Sequence, residues 1–170
     1  MAISEPERAT ALHGLVLWVN WRPLRRTPES VALGFVLHPQ PGYPFTLALE
    51  VSYVLADSGL EVGLQATNVR AEPAPVGLGF HPAFTVGDPR IDQTRLEIPA
   101  REEPLVTLWM DAGFDYLQAY TCDVVPDPSQ RRHGITLEPM TCAPDAFNSG
   151  EGLRILEPGE AFAARCGLVS

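Results

Sequence analysis

Hydrophobic and polar residues alternate with a period of two along most of this chain. In the stretch 46–55 every odd position is apolar, whereas Thr46, Glu50 and Ser52 are among the residues that fill the even positions. After a turn at 56–59, the stretch 60–68 alternates in the same way. A period of two places alternate side chains on one face of a β-strand. The two stretches, joined by an Ala-Asp-Ser-Gly turn, therefore predict a long β-hairpin.

Shorter stretches of the same kind predict further strands, at 31–37, 94–98, 106–110, 116–121, 134–137, 153–156 and 161–168. A Pro-Gly turn at 157–160 predicts that the last two strands form a hairpin, and a turn at 111–115 predicts the same for the strands beside it. The 17 prolines and 14 glycines argue against long helices. Many short strands at regular spacing predict an all-β fold, an antiparallel β-sandwich or barrel.

Length and charge narrow the class of protein. With 170 residues, the chain is long enough for one domain with a hydrophobic core. The formal net charge of -9 argues against nucleic-acid and membrane partners, because both kinds of binding depend on clustered Lys and Arg. The small basic cluster of Arg22, Arg25 and Arg26 is interpreted as a solvated loop.

Cysteine usage and the N-terminal sequence favour a cytoplasmic location. Cys122, Cys142 and Cys166 are odd in number and widely spaced, so they predict neither a disulfide framework nor a zinc site. The first ten residues lack the basic and apolar regions of an export signal. The apolar run 14–19 is too short to span a bilayer.

Two polar residues stand out because each is followed by proline in apolar surroundings. His81 lies in the motif Gly-Phe-His-Pro-Ala-Phe at 79–84, and Glu138 lies in Leu-Glu-Pro-Met at 137–140. Proline disfavours helical backbone in the residue before it, so we expect extended backbone at both His81 and Glu138. An imidazole and a carboxylate held in this way are candidates for an acid and a base. The alternatives are a histidine that caps a turn and an edge-strand glutamate that points at water.

Other polar residues are weaker candidates. His13 precedes Gly14 and an apolar segment, so it is either a cleft residue or the start of a strand. Asn68 and Asn148 are candidates to hold a sugar hydroxyl, although turn and cap roles are commoner for asparagine. No phosphate loop, serine-hydrolase elbow or metal-spaced cluster is present, which leaves acid-base chemistry without a metal or cofactor.

Five ordered motifs together resemble the aldose 1-epimerase (galactose mutarotase) family. They are Gly-Tyr-Pro-Phe at 42–45, Ala-Thr-Asn at 66–68, Gly-Leu-Gly-Phe-His-Pro at 77–82, Leu-Glu-Pro-Met-Thr at 137–141 and Pro-Asp-Ala-Phe-Asn at 144–148. The resemblance implies a galactose mutarotase-like β-sandwich that interconverts the α and β anomers of a hexose. It also implies that Glu138 is the base, that His81 is the acid and that His13 contacts the sugar, with no cofactor.

The chain departs from the family pattern in ways that leave a second hypothesis open. It is shorter than the family before His13 and between Pro99 and Leu105, and residues 1–10 do not match, so the predicted domain is 11–170. Shortening leaves sheet edges unpaired, which predicts a homodimer through an exposed edge. The alternative to an enzyme is therefore a non-catalytic carbohydrate-binding or interaction module.

Overall fold

A computed structural model describes residue 6 and the ranges 11–85, 90–97 and 106–169. These residues form eleven β-strands and one short α-helix, which in chain order are β1 (Arg22–Arg26), β2 (Ser30–Leu37), β3 (Leu47–Ala56), β4 (Gly59–Asn68), β5 (Ala74–Val76), β6 (Ala83–Phe84), β7 (Thr107–Met110), β8 (Tyr116–Tyr120), β9 (Ile135–Met140), α1 (Ala146–Ser149), β10 (Arg154–Leu156) and β11 (Ala161–Val169).

The larger layer is a six-stranded antiparallel sheet in the order β1-β2-β3-β4-β11-β7. Its centre is the predicted hairpin, in which β3 and β4 pair continuously from Leu47 opposite Asn68 to Ala56 opposite Gly59. The alternating pattern sets the register, because a slip by one residue would turn every apolar side chain to the other face. The prediction of a long hairpin is confirmed.

The second layer consists of two small sheets, β10-β5 and β6-β9-β8, which a bridge between Gly79 and Met140 brings together. Leu156 of β10 is 2% exposed and packs in one cluster with Leu47 and Ala66 of the larger sheet. The core therefore lies between the two layers, where apolar side chains leave water. The predicted all-β, antiparallel sandwich is confirmed.

Two predicted hairpins are wrong. The turns exist, since the amide of Glu160 donates to the carbonyl of Glu157 and the amide of Phe114 donates to the carbonyl of Asp111. However, β10 pairs with β5 while β11 pairs with β4 and β7. Likewise, β7 pairs with β11 while β8 pairs with β9. Each turn carries the chain from one layer to the other, so its flanking strands never become neighbours.

Other local predictions also need correction. Residues 94–97 follow a short 3-10 turn, Ile91–Gln93, and form no strand, whereas residue 98 lies outside the described residues. The predicted arginine loop is exposed, but it is the edge strand β1, whose Arg25 pairs with Glu50 of β3. Strands β5 and β6 have only three and two residues and were not predicted, because such short segments show no periodicity.

Candidate functional site

A cleft of about 510 Å³ lies between the inner face of the larger sheet and the segment that follows β5. Its floor is apolar, with Leu33, Val51 and Leu64 aligned across β2, β3 and β4. Residues 75–81 all line it on the opposite side, and His13, His81 and Glu138 contribute polar groups. A mostly apolar concavity with a few convergent polar groups is the usual form of a small-molecule site.

Strand β9 presents Glu138 to this cleft. The side chain is 14% exposed, and its Oε1 accepts a hydrogen bond of 2.8 Å from the hydroxyl of Thr136. Thr136 and Glu138 lie on the same face of β9 because side chains alternate along a strand. The predicted strand ended at residue 137, whereas β9 continues to Met140 and so includes Glu138 itself.

His81 reaches Glu138 because the segment before it is hydrogen-bonded to the end of β9. The amide of Phe80 donates to the carbonyl of Pro139 over 3.0 Å, and the amide of Thr141 donates to the carbonyl of Leu78 over 2.9 Å. As a result, Nε2 of His81 lies 3.2 Å from Oε1 of Glu138. The histidine side chain is 41% exposed, so one member of the pair is open to solvent and the other is largely covered.

His13 completes a compact group of three side chains. Its ring meets that of His81 edge to face, with centroids 4.6 Å apart and an interplanar angle of 89°. His13 has a φ of 58°, in the left-handed region that costs a non-glycine residue about 1–2 kcal/mol.

Neither candidate asparagine lines the cleft; the burial of Asn68 corrects its predicted sugar contact, whereas that of Asn148 stays a prediction. Asn68 is fully buried and does not line the cleft; its amide donates to the carbonyls of Glu72 and Leu156, and its Oδ1 accepts from the amide of Arg70. Asn148 is exposed on α1 and donates to Oδ1 of Asp145 over 2.7 Å. Asn68 therefore ties β4 to β10, whereas the side chain of Asn148 bonds only the nearby Asp145 side chain among the hydrogen bonds of the described residues.

Two further titratable groups line the cleft and stay protonated near neutral pH. Burial raises the pKa of Tyr43 to about 12, and its hydroxyl donates to the carbonyl of Pro75 over 2.6 Å. Burial also raises the pKa of the Cys142 thiol. Both side chains act as neutral lining.

Sequence reasoning did not single out Thr136 or Tyr53, and it named Tyr43 only as part of the Gly-Tyr-Pro-Phe motif. Trp21 and Tyr53 are lining residues, whereas Trp18 is 91% exposed and is not. The signal for Thr136 was available, since Thr-x-Glu within a strand puts both side chains on one face. The positions of Trp21 and Tyr53 depend on how the layers pack, which periodicity does not report.

The described residues contain no group of three or more His, Cys, Asp or Glu side chains placed to hold a metal ion. Nor do they contain a helix able to cross a membrane; α1, their one α-helix, has four residues.

Solved structures share this architecture. A galactose mutarotase-like protein from Clostridium acetobutylicum superposes with a TM-score of 0.77 at 17% identity, covering 99% of this chain and 71% of that one. A GalM/aldose epimerase homologue from C. elegans superposes with a TM-score of 0.70 at 14% identity, covering 89% and 68%. At these identities the likeness defines the fold, which is galactose mutarotase-like.

Sequence comparison then identifies the family. Residues 2–107 match the family described as aldose 1-epimerase. This range includes His13 and His81, whereas Glu138 lies beyond it. The chain is also 29% identical, over an alignment 208 positions long, to the uncharacterized protein YihR of Escherichia coli K12, covering 94% of this chain and 68% of that protein. The chain belongs to the aldose 1-epimerase family, which supports a carbohydrate epimerase-like function.

Proposed function

We propose that the protein is an aldose 1-epimerase that interconverts the α and β anomers of a hexose, with Glu138 as base and His81 as acid. The observation that carries this proposal is the 3.2 Å distance between His81 Nε2 and Glu138 Oε1. The anomeric hydroxyl and the ring oxygen of a pyranose are bonded to the same carbon. An acid and a base that act on these two oxygens must therefore be neighbours, as these two side chains are.

Ring opening and closure follow from this arrangement. Glu138 takes the proton of the anomeric hydroxyl while protonated His81 gives one to the ring oxygen. The bond between C1 and the ring oxygen breaks, and a carbonyl forms at C1. Rotation about the bond between C1 and C2 turns the other face of the carbonyl toward the new hydroxyl. Reclosure returns both protons, so atoms and charges balance over the cycle.

His13 is proposed to contact the sugar. Its ring packs edge to face against the His81 ring, and both residues line the cleft. A second imidazole at this place offers a hydrogen bond to a sugar hydroxyl and limits the rotation of His81.

An unphosphorylated hexose fits the cleft better than a hexose phosphate. Of the described residues that line it, none is an arginine or a lysine. A phosphate group depends on such cations, or on backbone amides at a helix start. The apolar floor instead suits the C–H face of a neutral sugar ring.

The test is polarimetric. Fresh α-D-glucose or α-D-galactose is dissolved with no protein, with wild type, with His81→Ala and with Glu138→Gln, and optical rotation is followed at neutral pH. Because a placed acid or base contributes about 10²–10⁴-fold, each variant is expected to lose nearly all acceleration. His38→Ala is the matched control, since His38 also precedes a proline but does not line the cleft. If wild type and the sugar alone give equal rates with both hexoses, the proposal fails; sugar binding without turnover would support the module hypothesis.

A further inference from the structure

A buried hydroxyl accompanies the carboxylate of Glu138. Thr136 lies two residues earlier in β9 and is 5% exposed. Its Oγ1 donates to Oε1 of Glu138 over 2.8 Å, a usual length for an O–H···O hydrogen bond. The carbonyl of Tyr120, which pairs with Thr136 on the neighbouring strand, is a second acceptor for the same hydroxyl proton, but at 3.5 Å it is the more distant of the two.

The two oxygens of Glu138 are therefore not equivalent. Oε1 meets both the Thr136 hydroxyl and, at 3.2 Å, Nε2 of His81. Over the part of the chain that the structure describes, no hydrogen bond reaches Oε2. The terminal torsion of a glutamate is broad, so an unsupported carboxylate samples many orientations. One short bond from a buried donor selects among them.

We propose that Thr136 is the positioning residue of the base: by holding Oε1 it leaves Oε2 to take the anomeric proton. This inference rests on the proposed function, since it assigns an oxygen and a helper to the same reaction. In the step, the proton moves from the anomeric oxygen to Oε2, and Thr136 keeps its own proton throughout. The hydroxyl acts through geometry and touches no sugar atom.

The kinetic test compares two substitutions at one position. Thr136→Val keeps the shape of the side chain and removes the hydroxyl, whereas Thr136→Ser keeps the hydroxyl. A hydrogen bond to a charged group favours the bonded orientation by about tenfold or more. If the reaction requires that orientation of the carboxylate, Thr136→Val is expected to lower kcat by about tenfold. KM is expected to change little, and Thr136→Ser is expected to restore most of the loss. Thr67→Val serves as the matched control, because Thr67 lies in β4 and does not line the cleft.

A second readout needs no turnover. In protein labelled with ¹³C in its glutamate carboxyls, the resonance absent from Glu138→Gln is assigned to Glu138. We expect it to shift in Thr136→Val and to stay in place in Thr67→Val. An inactive wild type with this shift would refute the proposed function while supporting the hydrogen bond. Unchanged kcat together with an unmoved resonance would overturn the inference, and so would an equal kcat loss in Thr136→Ser and Thr136→Val.

Discussion

Asn68 and Asn148 carry the same side chain in opposite surroundings. Asn68 is fully buried and makes three hydrogen bonds to backbone groups, whereas Asn148 is exposed and contacts Asp145. A buried backbone group left without its partner costs about 1–3 kcal/mol. The same amide therefore contributes structure at one position and little at the other.

We predict that Asn68→Ala lowers the free energy of unfolding by at least about 2 kcal/mol, because it leaves backbone groups of Glu72, Leu156 and Arg70 without their hydrogen-bond partner. Asn148→Ala is expected to stay within about 0.5 kcal/mol of wild type. Urea unfolding followed by circular dichroism measures both. A stable Asn68→Ala with weakened sugar binding would instead restore the contact predicted from sequence.

At the scale of single residues, part of the candidate site could be predicted from the local sequence. The prolines after His81 and Glu138 predict extended backbone at both residues, and Glu138 does lie in strand β9. Thr136 could have been found from its spacing to Glu138 within one strand. The distance between His81 and Glu138 could not, because it depends on hydrogen bonds between segments 78–80 and 139–141.

At the scale of elements, the turn between β3 and β4 shows how one strand constrains another. Gly59 has a φ of 134°, and a Cβ added there would lie 1.8 Å from the carbonyl oxygen of Leu168 in β11. Gly159, in the turn before β11, also has a positive φ of 78°, but a Cβ there would meet nothing within 4 Å.

Gly59→Ala is expected to destabilise the protein more than Gly159→Ala. Both substitutions incur the backbone cost of a positive φ, about 1–2 kcal/mol. Gly59→Ala adds a clash with backbone, and overpacking of this kind typically costs about 1–3 kcal/mol more. Thermal unfolding of the two variants side by side measures the difference. Equal melting temperatures would show that β11 moves away from the turn without loss.

The long strands were predictable, and so was the three-residue β10, whereas β5 and β6 were not. The β3–β4 hairpin has ten residues in each strand, enough for the period of two to exclude a helix. Strands β5 and β6 pair with β10 and β9, which lie far away in the sequence. The wrong hairpins have the same origin, since a turn sequence predicts a reversal but not the layer in which the chain continues.

At the scale of the molecule, Arg132 connects segments that are distant in sequence. It donates to Asp92 in the short 3-10 turn and, over 2.9 Å, to Asp123 after β8. Hydrogen bonds from Arg132 and then Arg90 lower the pKa of Asp92. The pKa of Asp123 is lowered by the Thr121 hydroxyl and then by Arg132.

These lowered pKa values predict how the loss of stability in Arg132→Gln depends on pH. A carboxyl with a lowered pKa in the folded state adds stability above its ordinary pKa of about 3.9 and loses it as pH falls through the folded value. Wild type should therefore melt at a higher temperature than Arg132→Gln at pH 6, and the gap should close below about pH 4. Arg131→Gln removes one positive charge from the adjacent residue and so controls for the change in net charge. A gap that persists at pH 2.5 would count against the ion pairs as its cause.

The homodimer stays a prediction, and the structure adds a physical constraint to it. Strand β1 forms one edge of the larger sheet and carries Arg22, Pro23, Arg25 and Arg26, all exposed. Charges and proline on an edge discourage pairing with a second copy. A dimer through a sheet edge would therefore use another strand.

The amino-acid sequence by itself determined the strands with a clear period of two, the antiparallel all-β class and the family, because each of these follows from local spacing or from ordered motifs. Only the tertiary structure decided which strands share a layer, that Asn68 is internal and that His13, His81 and Glu138 meet in one cleft. The reason is physical. Alternation sets which way a side chain points along its own strand, whereas its neighbours depend on hydrogen bonds and packing between segments far apart in the chain.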